Sequence, residues 1–87
     1  MKIGFIQFAP ALGDVEATLE TIDRLIPQAK GADLLVLPEL CNSGYHFESA
    51  QQAWDTSEEI PTGRFVRHLE GLCQQYGLRL VSGLNER

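Results

Sequence analysis

Residues 33–40 read Asp-Leu-Leu-Val-Leu-Pro-Glu-Leu, an apolar run that ends at a proline and is followed by a carboxylate. The run Leu34–Leu37 has no polar alternation, which is typical of a β-strand covered on both faces in an α/β sheet. Pro38 cannot donate to a sheet ladder, so strand pairing should stop there and the chain should turn out. The segment therefore predicts a buried strand that delivers Glu39 to the edge of a sheet.

The position of Glu39 predicts a functional role. In open α/β sheets, ligands bind at the carboxyl ends of the strands. We expect Glu39, which is flanked by Pro38 and Leu40, to lie in a poorly solvated place that suits a general base. The alternative is a solvated loop glutamate, because carboxylates are common in the loops that follow strands.

Length and composition limit the kind of protein. The chain has 87 residues, enough for one small domain, and 44% of them are hydrophobic. No apolar run approaches the roughly 18 residues that a membrane span needs. The formal net charge of -5 argues against nucleic-acid binding, which requires a basic face. Two separated cysteines and the lack of a secretory signal predict a cytoplasmic protein without disulfide bonds.

The residues before this segment predict a strand and a helix. Ile3–Phe8 has the β-branched and aromatic residues of a strand. From Val15 to Ala29, apolar residues recur at spacings of three and four, which predicts an amphipathic helix with Asp14 as its N-cap. Pro27 should kink this helix or end it early, and Gly31 should follow its end.

The residues after Glu39 begin with a loop. Cys41–Phe47 contains turn-forming residues and ends in aromatic ones, and we expect it to line whatever Glu39 faces. Within it, Tyr45 and Phe47 are expected to form pocket wall or core rather than a cofactor platform, and Tyr45 is the residue that could shape the substrate end of a pocket. Glu48–Ile60 is polar and weakly periodic, which predicts a short helix or an irregular segment.

A second amphipathic helix and a third strand complete the layout. The helix runs from Phe65 to Tyr76, with Thr62 as the expected N-cap and Gly77 as the stop, and Leu78–Leu84 is the strand. Alternating strands and helices predict an α/β fold in which right-handed crossovers place both helices on one face of the sheet. Because Leu34–Leu37 expects cover on both faces, the other face needs a second layer from further sequence or another chain.

The chain resembles the N-terminal portion of the nitrilase superfamily, the carbon-nitrogen hydrolases that include aliphatic amidases, carbamoylases and nitrilases. The resemblance spans essentially all 87 residues. It rests on the opening Ile3–Pro10, on Gly13-Asp14, on Ala32–Leu40 with Gly44-Tyr45 behind it, and on Val81–Arg87. It implies that residues 1–87 are the N-terminal fragment of one hydrolase domain with an α-β-β-α sandwich fold. About three strands and two to three helices of that sandwich fall within this chain.

The same resemblance implies a chemistry. In the superfamily a cysteine thiolate attacks the nitrile or amide carbon, a glutamate is the general base, and a lysine supports the charge of the tetrahedral intermediate. The resemblance makes Glu39 that glutamate and places the catalytic lysine and cysteine beyond Arg87. It further implies a small amide, carbamoyl or nitrile substrate, no cofactor, and a homo-oligomer for the complete protein.

Several residues invite other interpretations. Cys41 lies close to Glu39, but a structural thiol is commoner than a nucleophile at such a position. Cys41, His46 and Glu48 lack a recognised ligand spacing, so no metal site is predicted. Cys73 is expected in the core and His68 in solvent.

The rival class is a non-catalytic α/β binding or assembly module that docks through its uncovered sheet face. A flavodoxin-like regulatory domain ranks last, because Ala9–Gly13 is neither a phosphate loop nor an acidic cluster.

Overall fold

The computed structural model describes residues 1–87 and confirms an α/β fold. It contains three short parallel strands and three α-helices. The strands are β1 (Ile3–Phe5), β2 (Leu34–Val36) and β3 (Arg79–Val81), and the helices are α1 (Val15–Leu25), α2 (Ala50–Asp55) and α3 (Arg64–Tyr76). A 3-10 helix at Ile26–Ala29 continues α1. None of the helices has the length and apolar character needed to cross a membrane.

The strand order β1-β2-β3 places β2 in the centre of the sheet. The register aligns Phe5, Val36 and Val81 in one row across the three strands. Helices α1 and α3 pack against each other on one face of the sheet, so the predicted placement of both helices on the same side is confirmed. All three strands therefore run toward a common carboxyl edge.

The hydrophobic core lies between this face of the sheet and the two helices. Leu35 and Leu37 enter it from β2 and its exit, and Phe65 enters from α3 with no exposed surface. The core side chains of α1 and its 3-10 continuation include Leu19, Ile22 and Ile26, and those of α3 include Leu69 and Leu72. Cys73 packs against this cluster as expected, although it is only partly buried.

The opposite face of the sheet is bare. Ile3 is 66% exposed, Phe5 73% and Val36 39%. Within residues 1–87 the Leu34–Leu37 run is covered on one face only, because side chains alternate along a strand and only one set meets the helices. The prediction of one uncovered face is confirmed.

The termini of α1 follow the sequence signals. The carboxylate of Asp14 accepts a hydrogen bond from the Ala17 amide at 3.0 Å, which confirms the N-cap. The α-helix stops at Leu25 and tightens into the 3-10 turn that contains Pro27, so the early end is also confirmed. The prediction of strands longer than three residues was wrong at β1 and β3.

The start of α3 differs from the prediction. Gly63, not Thr62, is the N-cap, and no side chain at that position caps the helix. The carboxylate of Glu58 replaces it, accepting hydrogen bonds from the amides of Phe65 at 2.9 Å and Val66 at 3.0 Å. A side chain at position 63 would overlap Glu58, which explains the glycine. The helix ends at Gly77 in the left-handed conformation, as predicted.

An ion pair and a histidine–carboxylate contact join α1 to α3 on the outer surface. Arg64 pairs with Glu16, and His68 Nε2 lies 2.6 Å from the Asp23 carboxylate. The His68 side chain is 34% exposed, so it contacts solvent as expected, and it also has a partner that the sequence did not indicate.

Candidate active site

Glu39 lies in a turn at the carboxyl end of the central strand. Beyond β2, the Leu37 amide still donates to the Val81 carbonyl at 2.8 Å, and Pro38 then ends the ladder as predicted. Leu40 takes a positive φ of 43°, which is unusual for a residue other than glycine and reverses the chain direction. The Gly44 amide closes the turn on the Leu40 carbonyl at 2.7 Å. The central strand and its proline thus place Glu39 at the edge where ligands bind in α/β sheets.

The exit of β3 packs against the Glu39 turn. The Cys41 amide donates to the Gly83 carbonyl at 3.0 Å. A Cβ atom on Gly83 would lie 3.2 Å from the Cα of Glu39 and 3.3 Å from the amide nitrogen of Leu40. Glycine suits this approach because its neighbours there are backbone atoms, which cannot rotate away. No sequence motif marks Gly83 for this role, and its position after a strand, two residues beyond Val81, is the only local signal of it.

The side chain of Glu39 is exposed, so the expectation of a poorly solvated carboxylate is wrong within residues 1–87. Pro38 and Leu40 are each only partly buried and do not cover it. The physical reason is the bare sheet face and the open strand ends, because the exclusion of water from such an edge needs atoms beyond those that this chain supplies.

Tyr45 lines an open cavity of about 640 Å³ between the exit of β1 and the Gly44-Tyr45 pair. Gln7, Phe8 and His46 are among its other lining residues. Glu39 is not one of them, so the structure places the two predicted site residues in the same loop but not in one cavity. Tyr45 is 74% exposed, which leaves its ring free to meet a ligand or a further part of the protein.

Neither cysteine has the properties of a nucleophile. Cys41 is fully buried, and burial raises the pKa of its thiol from 9.0 to about 11, with a hydrogen bond to Ser82 opposing the rise. Burial also raises the pKa of Cys73, while a backbone hydrogen bond to Leu80 lowers it and the charge of Glu70 raises it. The reactive form of cysteine is the thiolate, so both thiols are held in the unreactive form near neutral pH.

The remaining polar candidates are scattered. Lys2 precedes β1 and Lys30 precedes β2, so both lie at the amino edge of the parallel sheet, opposite Glu39. His46 and Glu48 are exposed while Cys41 is buried. No group of three or more His, Cys, Asp or Glu side chains is arranged to hold a metal ion.

Similar proteins identify the family. The model of the carbon-nitrogen hydrolase family matches residues 2–87. A nitrilase from Pyrococcus abyssi is 29% identical over 89 residues, an alignment that covers 100% of this chain and 34% of the relative. A protein N-terminal amidase from Schizosaccharomyces pombe is 30% identical over 92 residues, which cover 99% of this chain and 32% of the relative.

The chain spans about a third of the length of these curated relatives. The match covers the N-terminal portion of the family, as the motifs around Pro38-Glu39 and Gly44-Tyr45 indicated. A family model that matches nearly every residue, on a parallel α/β sheet with a carboxylate after its central strand, shows that this chain belongs to the carbon-nitrogen hydrolase family.

Proposed function

We propose that residues 1–87 are the N-terminal section of a single carbon-nitrogen hydrolase domain that cleaves non-peptide carbon-nitrogen bonds, with Glu39 as its general base. The observation that carries the proposal is the position of Glu39 at the carboxyl end of the central strand of a chain in the carbon-nitrogen hydrolase family. The names of the relatives, a nitrilase and an N-terminal amidase, support nitrile or amide substrates. We favour an amide or carbamoyl compound over a nitrile.

The proposed mechanism is a Glu-Lys-Cys thiol mechanism. Glu39 takes the proton of a cysteine thiol, and the thiolate adds to the amide carbon. A lysine supports the negative charge of the tetrahedral intermediate. The proton then passes to the leaving amine, and Glu39 activates the water that hydrolyses the acyl-enzyme.

In this proposal the cysteine and the lysine come from beyond residue 87. The buried thiol of Cys41, with its pKa raised to about 11, supports a nucleophile outside this chain. The location of Lys2 and Lys30 at the opposite edge of the sheet supports the same conclusion for the lysine. A sandwich partner for the bare sheet face would come from the same further sequence.

Tyr45 and its cavity are proposed as part of the substrate pocket. The volume of about 640 Å³ falls in the range of small-molecule sites, which are roughly 300–1,000 Å³. We also propose that the complete protein acts without a cofactor, forms a homo-oligomer and works in the cytoplasm. The two free cysteines support a reducing compartment.

The first test is to read the coding sequence beyond codon 87. A frame that continues through a lysine in a loop and a cysteine at a strand-to-helix turn would supply the further groups. A stop codon directly after Arg87 would make hydrolysis by this polypeptide untenable.

The decisive test of Glu39 is Glu39→Gln in the full-length protein. Ammonia release from propionamide, N-carbamoylalanine and butyronitrile selects the working substrate. With it, Glu39→Gln should lower kcat by about 10²- to 10⁴-fold, the usual contribution of a general base, while circular dichroism stays unchanged. Glu48→Gln makes the same chemical change at another exposed carboxylate and should retain wild-type turnover. Retained activity in Glu39→Gln would refute the assignment.

The second candidate is a non-catalytic assembly module, and the exposed row of Phe5, Val36 and Val81 favours it. Such a face would bury itself against a partner. Size-exclusion chromatography with light scattering on the 87-residue chain tests the module in one direction only, because both alternatives leave this face bare there. A well-behaved monomer argues against a docking module.

A further inference from the structure

Within this chain, the backbone alone determines where Glu39 lies. Its carboxylate has no hydrogen-bond or ion-pair partner among residues 1–87, where the Arg64–Glu16 and His68–Asp23 pairs join α1 to α3. The turn at residues 38–44 is therefore the chain's contribution to the placement of this group. Whatever holds the turn in place also holds Glu39.

The side chain of Asn42 fastens this turn to two other segments. Asn42 has no exposed surface. Its Nδ2 donates to the carbonyl oxygens of Thr56 and Asn85, both at 3.1 Å. Its Oδ1 accepts from the amide of Asn85 at 2.8 Å. One buried amide thus joins the Glu39 turn to the end of α2 and to the chain that leaves β3.

Only asparagine fits this set of partners among residues of its size. Two carbonyl oxygens require donors and one amide requires an acceptor, and a carboxamide provides both. An aspartate would offer no donor and would bury a charge, and an apolar residue would leave all three partners without this bond. The tether also spans 43 positions in sequence, from the turn to the chain that follows β3.

We propose that Asn42 is a positioning residue for catalysis, which holds the Glu39 turn at the carboxyl edge of the sheet. This inference rests on the general-base role proposed for Glu39. Asn42 does not touch the reacting atoms and acts through the backbone of residues 38–44. Because small displacements of a catalytic group reduce turnover strongly, loss of the tether should affect kcat more than KM.

Asn85 provides a matched control. Its side-chain amide donates to the Ala53 carbonyl at 2.8 Å, whereas the bonds to Asn42 use only its backbone. Asn85→Ala therefore removes a partly buried amide from the same region and leaves the Asn42 tether intact. Asn42→Ala makes the same chemical change and removes all three bonds of the tether.

The experiment measures kcat and KM for both variants in the full-length protein, with the substrate selected by ammonia release. The assay temperature is chosen for each variant so that the same fraction of the protein is folded. Asn42→Ala should lower kcat by about 10- to 100-fold and change KM by less than about threefold. Asn85→Ala should stay within about threefold of the wild type in both. Equal kcat values for the two variants, or an unchanged kcat in Asn42→Ala, would overturn the inference.

Failure of this inference can be told apart from failure of the proposed function. If Glu39→Gln keeps its activity, the general-base role fails, whatever Asn42 does. If Glu39→Gln loses activity while Asn42→Ala matches Asn85→Ala, only the positioning role fails.

Amide hydrogen exchange gives a readout that needs no turnover. In the full-length protein, Asn42→Ala should speed exchange at the amides of Cys41 and Gly44, and Asn85→Ala should not. If Asn42→Ala does not fold, Asn42→Ser, which keeps one donor, takes its place. In the wild type these amides should exchange hydrogen as slowly as the amides of the hydrophobic core. Fast exchange at these two amides would overturn the inference, because it would show that the turn is mobile.

Discussion

The two faces of the sheet contrast sharply, although the same three strands form both. On one face, Leu35 is buried against α1 and α3, and Phe65 of α3 has no exposed surface. On the other, Phe5 and Val36 are exposed and have no cover within residues 1–87. The apolar character of the strands is similar on both sides, so composition does not decide which face is covered. The crossover connections decide it, because right-handed crossovers bring both helices to one side.

Phe65 and Phe5 offer the strongest test of this contrast. In the 87-residue chain, Phe65→Ala should lower the free energy of unfolding by about 3–5 kcal/mol, because it removes a buried ring and leaves a cavity. Phe5→Ala should change it by no more than about 0.5 kcal/mol, as at other exposed positions. Urea unfolding followed by circular dichroism measures both.

Phe65→Leu provides a milder variant if Phe65→Ala leaves too little folded protein to measure. It should fall between the wild type and the alanine variant. A loss from Phe5→Ala as large as that from Phe65→Ala would show that the face we describe as bare is covered.

The carboxylate of Glu58 should hold the start of α3 on the covered face. Glu58→Ala should cost about 1–2 kcal/mol of unfolding free energy, because the amides of Phe65 and Val66 lose their acceptor. Glu59→Ala, at the exposed neighbour, is the matched control and should be nearly neutral. A similar loss in both variants would mean that the charge alone, and not the capping geometry, stabilises the helix.

The buried thiol of Cys41, on the covered side of the sheet, should lower the free energy of unfolding of the chain at high pH. Burial raises the pKa of its thiol from 9.0 to about 11 in the folded chain. As the pH rises, the thiol therefore loses its proton first in the unfolded state. The contribution of the buried thiol to the free energy of unfolding is complete below a pH of about 9 and is lost as the pH rises toward about 11. The urea midpoint should drop across this range in the wild type.

Cys41→Ala should remove most of that drop, and Cys73→Ala should remove less, because Cys73 is only partly buried. An equal pH dependence in the wild type and Cys41→Ala would contradict the assignment of the drop to Cys41.

The smallest change in the free energy of unfolding is expected from a substitution on the solvent-facing side of the helices. Asp23→Asn should reduce the unfolding free energy by about 0.2–1 kcal/mol, because it weakens a half-exposed pair with His68. The difference between wild type and variant should shrink in about 1 M NaCl, where such charges are screened. A salt-independent difference would point to packing, or to a hydrogen bond from an uncharged His68, as its cause.

Local signals were predicted correctly where neighbouring residues determine the outcome. The Asp14 cap, the early end of α1 near Pro27 and the stop at Gly77 each depend on residues within one helical turn. The cap of α3 was assigned to the wrong residue, because the acceptor is Glu58, which lies outside that turn. Threonine is a common N-cap residue, but Thr62 does not cap α3 in this structure.

At the candidate site, too, the features set by neighbouring residues were predicted and those set by distant contacts were not. The segment with Pro38 and Glu39 indicated both a strand and a carboxylate at its end, and the family match supports that region. The exposure of Glu39 was predicted wrongly, because solvation depends on layers that are distant in sequence or outside this chain. Asn42 reads as a turn residue in sequence, and only its partners at Thr56 and Asn85 show that it is a buried tether.

The sequence by itself determined the family, the order of strands and helices, and the position of Glu39 after the central strand. Short-range chemistry carries these features: apolar periodicity, proline and glycine conformations, and side-chain caps. The tertiary structure decided which face of the sheet is covered, how Gly83 meets the backbone of Glu39, and what Asn42 binds. Those outcomes depend on contacts between residues far apart in the chain, and such contacts leave no periodic signal in the sequence.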